Sequence, residues 1–206
     1  MVICDKDISE RYKTKGSEFI GYLFYVADKI DFRKHLEIIK ENHPAATHHC
    51  TAYRIGIDRP QEYYNDDGEP SGTAGRPICN QMRSFELTNS GVVVVRYFGG
   101  TKLGKAGLID AYSHTTKLCI HSTLLKPVSP AIRYKLTYPY DKQSAIEQLC
   151  NRFNLTEHNA NYTAKITKEI VCPKKQTPDF EKELARLQHF GIIAETLGAT
   201  FTVTHT

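Results

Sequence analysis

The 206 residues include no tryptophan, two methionines and six cysteines, and no two of those cysteines form a Cys-x-x-Cys pair. Without such a pair neither a zinc ribbon nor a redox dithiol is indicated, and reduced, mostly buried thiols are the expectation. Long apolar runs are missing too, since no stretch approaches the roughly 20 residues that span a bilayer. The opening segment, MVICDKDISERYKTKGSEF, lacks the apolar core and small-residue cleavage site of a secretory signal. A cytoplasmic chain with no membrane partner is expected. Charge of one sign is scarce: the formal charge is +4, with 17 basic against 15 acidic residues up to Pro127 and 10 against 8 beyond it. Any nucleic-acid contact must therefore come from a local patch. Nine histidines are present, yet there is no Gly-x-Ser-x-Gly elbow, no His-Glu-x-x-His helix and no ordered Ser/His/Asp spacing.

What is present reads as mixed α and β, with two cores. Residues 19–26 form a strand-like run, and Phe32, Leu36 and Ile39 recur at helical spacing until His43-Pro44 ends that helix. A second strand is expected over 48–57, and the Asp-, Gly- and Pro-rich stretch 58–75 reads as a long exposed loop. A short helix over 78–85 leads to VVVVRYF, a β-branched run that reads as a strand buried on both faces. Residues 104–120 follow as a helix with Leu108, Tyr112 and Cys119 on one face. In LLKPVSPAIRY two prolines suggest a linker, giving a first domain over 1–127 and a second over 128–206. The second reads as strand 132–138, a helix to 153 with Asp141 as its N-cap, strands 155–160 and 162–171, a helix over 179–190, and a last strand 199–205. That βαββαβ order is ferredoxin-like, and the fold class is α+β.

Three segments carry chemistry. In HPAATHHC, strand alternation lets at most His48 and Cys50 share a ligand, which is too few for a metal site. No cofactor or metal is expected. In DDGEPSGTAGRP, Asp66, Asp67 and Glu69 crowd beside small residues that permit close approach of a partner, a cation or another backbone, or serve as helix caps. In RYFGGTKLGKAG, a glycine-rich strand-to-helix turn carries Lys102 and Lys105, a composition suited to phosphate. It matches neither the P-loop nor the dinucleotide fingerprint.

These segments, in this order and at this spacing, resemble the hallmarks of the YigZ/IMPACT family. The resemblance covers residues 15–121, and the tail resembles that of the bacterial type. It implies a first domain similar to the second domain of a small-subunit ribosomal protein and a tail similar to a domain of elongation factor G. Both comparisons point to RNA or the ribosome, and eukaryotic members are associated with restraining a translational stress response through protein contacts. Three positions depart from the family's pattern: Glu18 and Thr47 stand where basic residues are frequent, and Ala106 where glycine is common.

A translation-associated binding or regulatory role is favoured over catalysis. Arg76, Arg96, Gly99, Gly100, Lys102, Gly104, Lys105 and Gly107 are the candidate anion or nucleic-acid site, with RNA or a ribosome-associated component as partner. His48, His49, Asp66, Asp67 and Glu69 are a candidate partner or ligand site. Two alternatives stay open: a regulator that binds protein alone through the acidic loop, and a small-molecule enzyme using the His/Asp/Glu cluster.

Overall fold

Val92, Val93, Val94 and Val95 are completely buried, and the first part of the molecule is built around them. The computed structural model describes residues 1–203. The chain divides into two compact units, Met1–Pro127 and Val128–Thr206. In the first, strands β1 (Val2–Cys4), β2 (Ile8–Thr14) and β3 (Ser17–Tyr25) precede helix α1 (Lys29–Asn42). Strands β4 (His48–Ile55) and β5 (Gln61–Asn65), helix α2 (Gly75–Ser84), strand β6 (Ser90–Tyr97) and helix α3 (Gly104–His121) follow. An antiparallel sheet runs in the order β2-β3-β6-β4-β5. Because strand side chains alternate, Val92 and Val94 join Leu23, Ile78, Met82 and Leu108 under α2 and α3, while Val93 and Val95 join Phe24, Phe32 and Ile39 under α1. Helices therefore cover both faces.

Strand β7 (Leu125–Tyr138) begins the second unit's pattern, followed by helix α4 (Gln143–Arg152), strands β8 (Thr156–Tyr162) and β9 (Ile166–Pro173), helix α5 (Thr177–Gln188) and strand β10 (Ile193–Val203). The antiparallel order β10-β7-β9-β8 is that of the ferredoxin-like arrangement. Ile146, Leu149, Phe180 and Leu184 of the helices bury one face of this sheet, against Tyr134, Leu136, Ile166 and Ile170. The expected last strand ends in residues that lie outside the described ones, beyond Val203.

Three local expectations need correction. The stretch 58–75 is not one exposed loop: Gln61–Asn65 pairs with β4, and Glu69, Thr73 and Ala74 are buried. The prolines do not make a linker. Pro127 faces Val2 and Pro130 faces Phe201, while pairing with β9 starts only at Ala131, so the missing N–H groups fall where one side of the strand demands none. Asp141 is no N-cap, because the chain enters α4 through a 3-10 turn, Tyr140–Lys142, that contains it. Strands β1 and β2 went unread. In β2 half-buried Ile8, Glu10, Tyr12 and Thr14 alternate with exposed Ser9, Arg11 and Lys13, the period-2 signal of an edge strand partly masked by its charges.

Candidate functional site

Strand pairing sets His48 of β4 directly opposite Arg96 of β6. Over that pair folds the segment 66–74. Arg96 Nη1 donates to Glu69 Oε1 at 2.6 Å, and the Tyr112 hydroxyl of α3 donates to the same oxygen at 2.8 Å. The Cys50 thiol donates to the Asp66 carbonyl at 3.0 Å and lies 3.3 Å from the Tyr112 hydroxyl. His48 Nδ1 lies 2.7 Å from the Asp67 carbonyl, which can only accept, so that nitrogen carries a proton; its Nε2 is 3.9 Å from Glu69 Oε1. Arg96 is packed over the rings of Phe19 and Phe98, each 5.4 Å from its guanidinium carbon, and its Nη2 donates to Ser17 Oγ at 3.3 Å. The ion pair is removed from water, with Arg96 5% and Glu69 8% exposed. Burial pushes both the Cys50 thiol and the Tyr112 phenol up, so each keeps its proton. They are hydrogen-bond donors here, not nucleophiles.

The acidic segment closes on its own backbone. Asp66 Oδ1 accepts from the amides of Ala74 at 3.0 Å and Gly75 at 2.8 Å, and Oδ2 from Gly72 at 2.8 Å. A carboxylate thus occupies the start of α2, where the dipole and unpaired amides favour an anion. Asp67 Oδ2 accepts from the His49 amide at 2.6 Å. Gly75 is required by space, since a Cβ there would sit 2.7 Å from the backbone of Asn65. The five residues His48, His49, Asp66, Asp67 and Glu69 do come together, and each of the three carboxylates accepts at least one internal hydrogen bond. His49 Nε2 is buried without a partner, and burial lowers the affinity of that ring for a proton.

The glycine-rich turn is built differently. Gly99 rests on Gly16 so closely that a Cβ would fall 1.9 Å from its carbonyl, and its amide donates to Ser17 Oγ at 3.2 Å. Thr47, one of the departures, accepts from the Phe98 amide at 3.2 Å. Gly100 and Gly104 both take positive φ, +83° and +72°, with open space around them. The turn is thus held at its root and exposed at its tip. No side chain caps α3, and among the described residues no hydrogen bond from outside the helix reaches the amides of Gly104, Lys105 or Ala106. Lys102 and Lys105 are exposed and in no ion pair among the described residues. Arg76 is exposed at the start of α2, whereas Arg96 belongs to the buried network and not to this surface. Glu18, the acidic departure, lies 3.4 Å from Arg11 and 3.5 Å from Lys13.

Two members of the network, Tyr112 and Ser17, were not read as such from sequence. A tyrosine on the buried face of a helix needs a partner for its hydroxyl, which was the available clue; Ser17 gave none. Among the described residues no group of three or more metal-ligating side chains occurs.

Comparison with known proteins agrees with the motifs that converge here. The Impact N-terminal domain family matches residues 15–120. IMPACT family member YigZ of Escherichia coli (strain K12) is 31% identical over 173 residues, 83% of this chain and 85% of that protein. An IMPACT family member of Haemophilus influenzae is 31% identical over 185 residues, 89% of this chain and 90% of that one. A crystal structure of a hypothetical protein superposes with a TM-score of 0.68 at 28% identity, covering 94% of this chain and 95% of that one. With its histidines and acidic segment assembled around one buried arginine and a glycine-rich turn leading into α3, the chain belongs to the IMPACT family.

Proposed function

We propose that this protein is a translation-associated binding protein whose glycine-rich turn takes phosphate groups of RNA. Membership of the IMPACT family, whose eukaryotic members are associated with translational control, supports the translation part of the reading. One observation carries the rest: of two glycine-rich helix starts, α2 is filled by Asp66 and α3 is open, flanked by Lys102 and Lys105. Open amides at a positive dipole end, with two mobile cations beside them, form a receptor for a phosphate oxygen. The acidic segment is less suited to a partner, because Asp66 and Glu69 are already committed to internal donors. Catalysis is disfavoured by the same inward geometry and by the protonated state of Cys50 and Tyr112.

The test is a fluorescence titration with structured RNA across a salt series. Affinity falls steeply with salt, and replacing Lys102 and Lys105 by alanine lowers the log–log slope by about two, one for each lost phosphate contact. A salt-independent affinity, or none, overturns the reading.

A further inference from the structure

In the second unit, Tyr134 of β7 is only 2% exposed, and its hydroxyl donates to Glu181 Oε1 of α5 at 2.7 Å. Both residues line a cavity of about 160 Å³ between α5 and β10, whose other walls are Leu184, Ala185, Ala194 and Thr196. Helical spacing puts Glu181, Leu184 and Ala185 on one face of α5. Strand pairing sets Thr196 opposite Tyr134 and Ala194 opposite Leu136, so both look towards that helix face. The small side chains of Ala185 and Ala194 leave the space between unfilled. Directly beyond Thr196 the pairing of β10 with β7 shifts register, and Gly198 takes φ +115°; a bulge of this kind re-aims an edge strand. The charges here do not cancel. Among the described residues no ion pair reaches Glu181, while Arg152 and Arg186 are taken by Glu183 at 3.5 and 2.9 Å. Lys182 is turned about 100° around the helix from Glu181. Arg133 and Lys135 of β7 and Glu195 of β10 alternate onto the other face of the sheet. Burial and the adjacent carboxylate push the Tyr134 phenol up, so it stays a donor that holds Glu181 in place.

From this geometry we infer that the cavity receives a primary ammonium group carried on an alkyl chain, with Glu181 Oε2 and the Thr196 hydroxyl as its acceptors. The inference concerns the second unit alone and does not rest on the reading of the glycine-rich turn. Charge selects a cation, because the one ionised group on the cavity wall is an unpaired carboxylate. Shape selects the kind of cation. With Oε1 already accepting from Tyr134, the carboxylate offers one free oxygen, which suits the point charge of an ammonium better than the two-pronged guanidinium. A cavity of about 150 Å³ holds a molecule the size of benzene, so butylammonium, the outer part of a lysine side chain, matches this space better than the longer arginine side chain. Leu184, Ala185 and Ala194 then surround the methylenes. Tyr134 is a positioning residue, since it acts through Glu181.

The experiment follows the amide resonances of the full chain by NMR during titration with butylammonium chloride, with sodium chloride and the neutral N-butylacetamide as controls. Saturable shifts centred on Ala185, Ala194 and Thr196 are expected with butylammonium alone. Glu181→Gln, at an exposed position, weakens that binding about tenfold, the loss of one charge-assisted hydrogen bond. Tyr134→Phe keeps the charge but frees the carboxylate to rotate, and weakens it about threefold; circular dichroism confirms the fold of each variant. Titrations with a lysine blocked at both ends and with putrescine separate the sources: tighter binding of the first assigns the cavity to a lysine side chain of a protein, and of the second to a free polyamine, and either supports the ammonium receptor. No saturable shift with any of the three amines overturns the inference. Equal shifts with N-butylacetamide, or unchanged affinity in Glu181→Gln, overturn it as well, and unchanged affinity in Tyr134→Phe overturns the positioning role of that residue.

Discussion

The Arg96–Glu69 pair decides what the family's acidic and arginine motifs do in this chain. Two charges taken from water are costly unless they satisfy each other, and removing one partner strands the other at a cost of about 3–5 kcal/mol. Glu69→Ala is therefore expected to lower stability by about that amount, because Arg96, already short of a partner at Nε, loses its carboxylate. Combining it with Arg96→Met should recover much of the loss, and urea unfolding of the single and double variants measures the difference. Histidine gives a second prediction at this scale. Burial holds His49, and likewise His43, less basic in the folded chain than the ordinary value of 6.5. The unfolded chain then binds more protons as pH falls below that value, so stability is fully present above it and declines below it. Urea midpoints at pH 7.5 and 5.5 should show the decline, and His49→Gln should reduce it; a pH-independent midpoint would refute the assignment.

At the scale of elements, the contrast between α2 and α3 makes the next prediction. Asp66 accepts charge-assisted hydrogen bonds from Ala74 and Gly75 at the start of α2 and from Gly72 in the turn before it, so Asp66→Ala should cost about 2 kcal/mol, the upper end for a lost cap. Amide exchange should speed selectively in α2, and uniform exchange would contradict a capping role. The same contrast explains what the sequence disclosed. Helices α1 and α3 were legible because Phe32, Ile39 and Leu108 recur at helical spacing, and strand β6 because its four valines form a continuous β-branched run buried on both faces. Strand β5 was not, because Tyr63 and Tyr64 sit between glycine, proline and acidic residues whose local preference is for turns, and only pairing with β4 overrides it. For the site, chain order showed which segments matter. Whether a carboxylate faces solvent or a helix start depends on a fold-back of residues 66–75 that no local pattern encodes.

At the scale of the whole molecule, the extent of the first unit is itself a physical question. The family match stops at residue 120, yet β1 lies against Leu125, Lys126 and Pro127, and the unit extends to Pro127. This last stretch is integral to the first core. Ile3 and Cys4 are buried, Leu125 packs against the same cluster, Asp5 donates its amide to the Leu124 carbonyl at 3.0 Å, and Lys126 pairs with Asp5. A fragment ending at Pro127 should unfold in one cooperative transition. One ending at His121 leaves β1 without its strand partner and should be less stable by about 2–3 kcal/mol, the worth of roughly one large apolar side chain returned to water. Urea titrations of the two fragments, with the denaturant slope checked for lost cooperativity, make the comparison. Equal midpoints would mean that β1 and the first residues of β7 contribute nothing to the first core, and that its boundary lies where the family match ends.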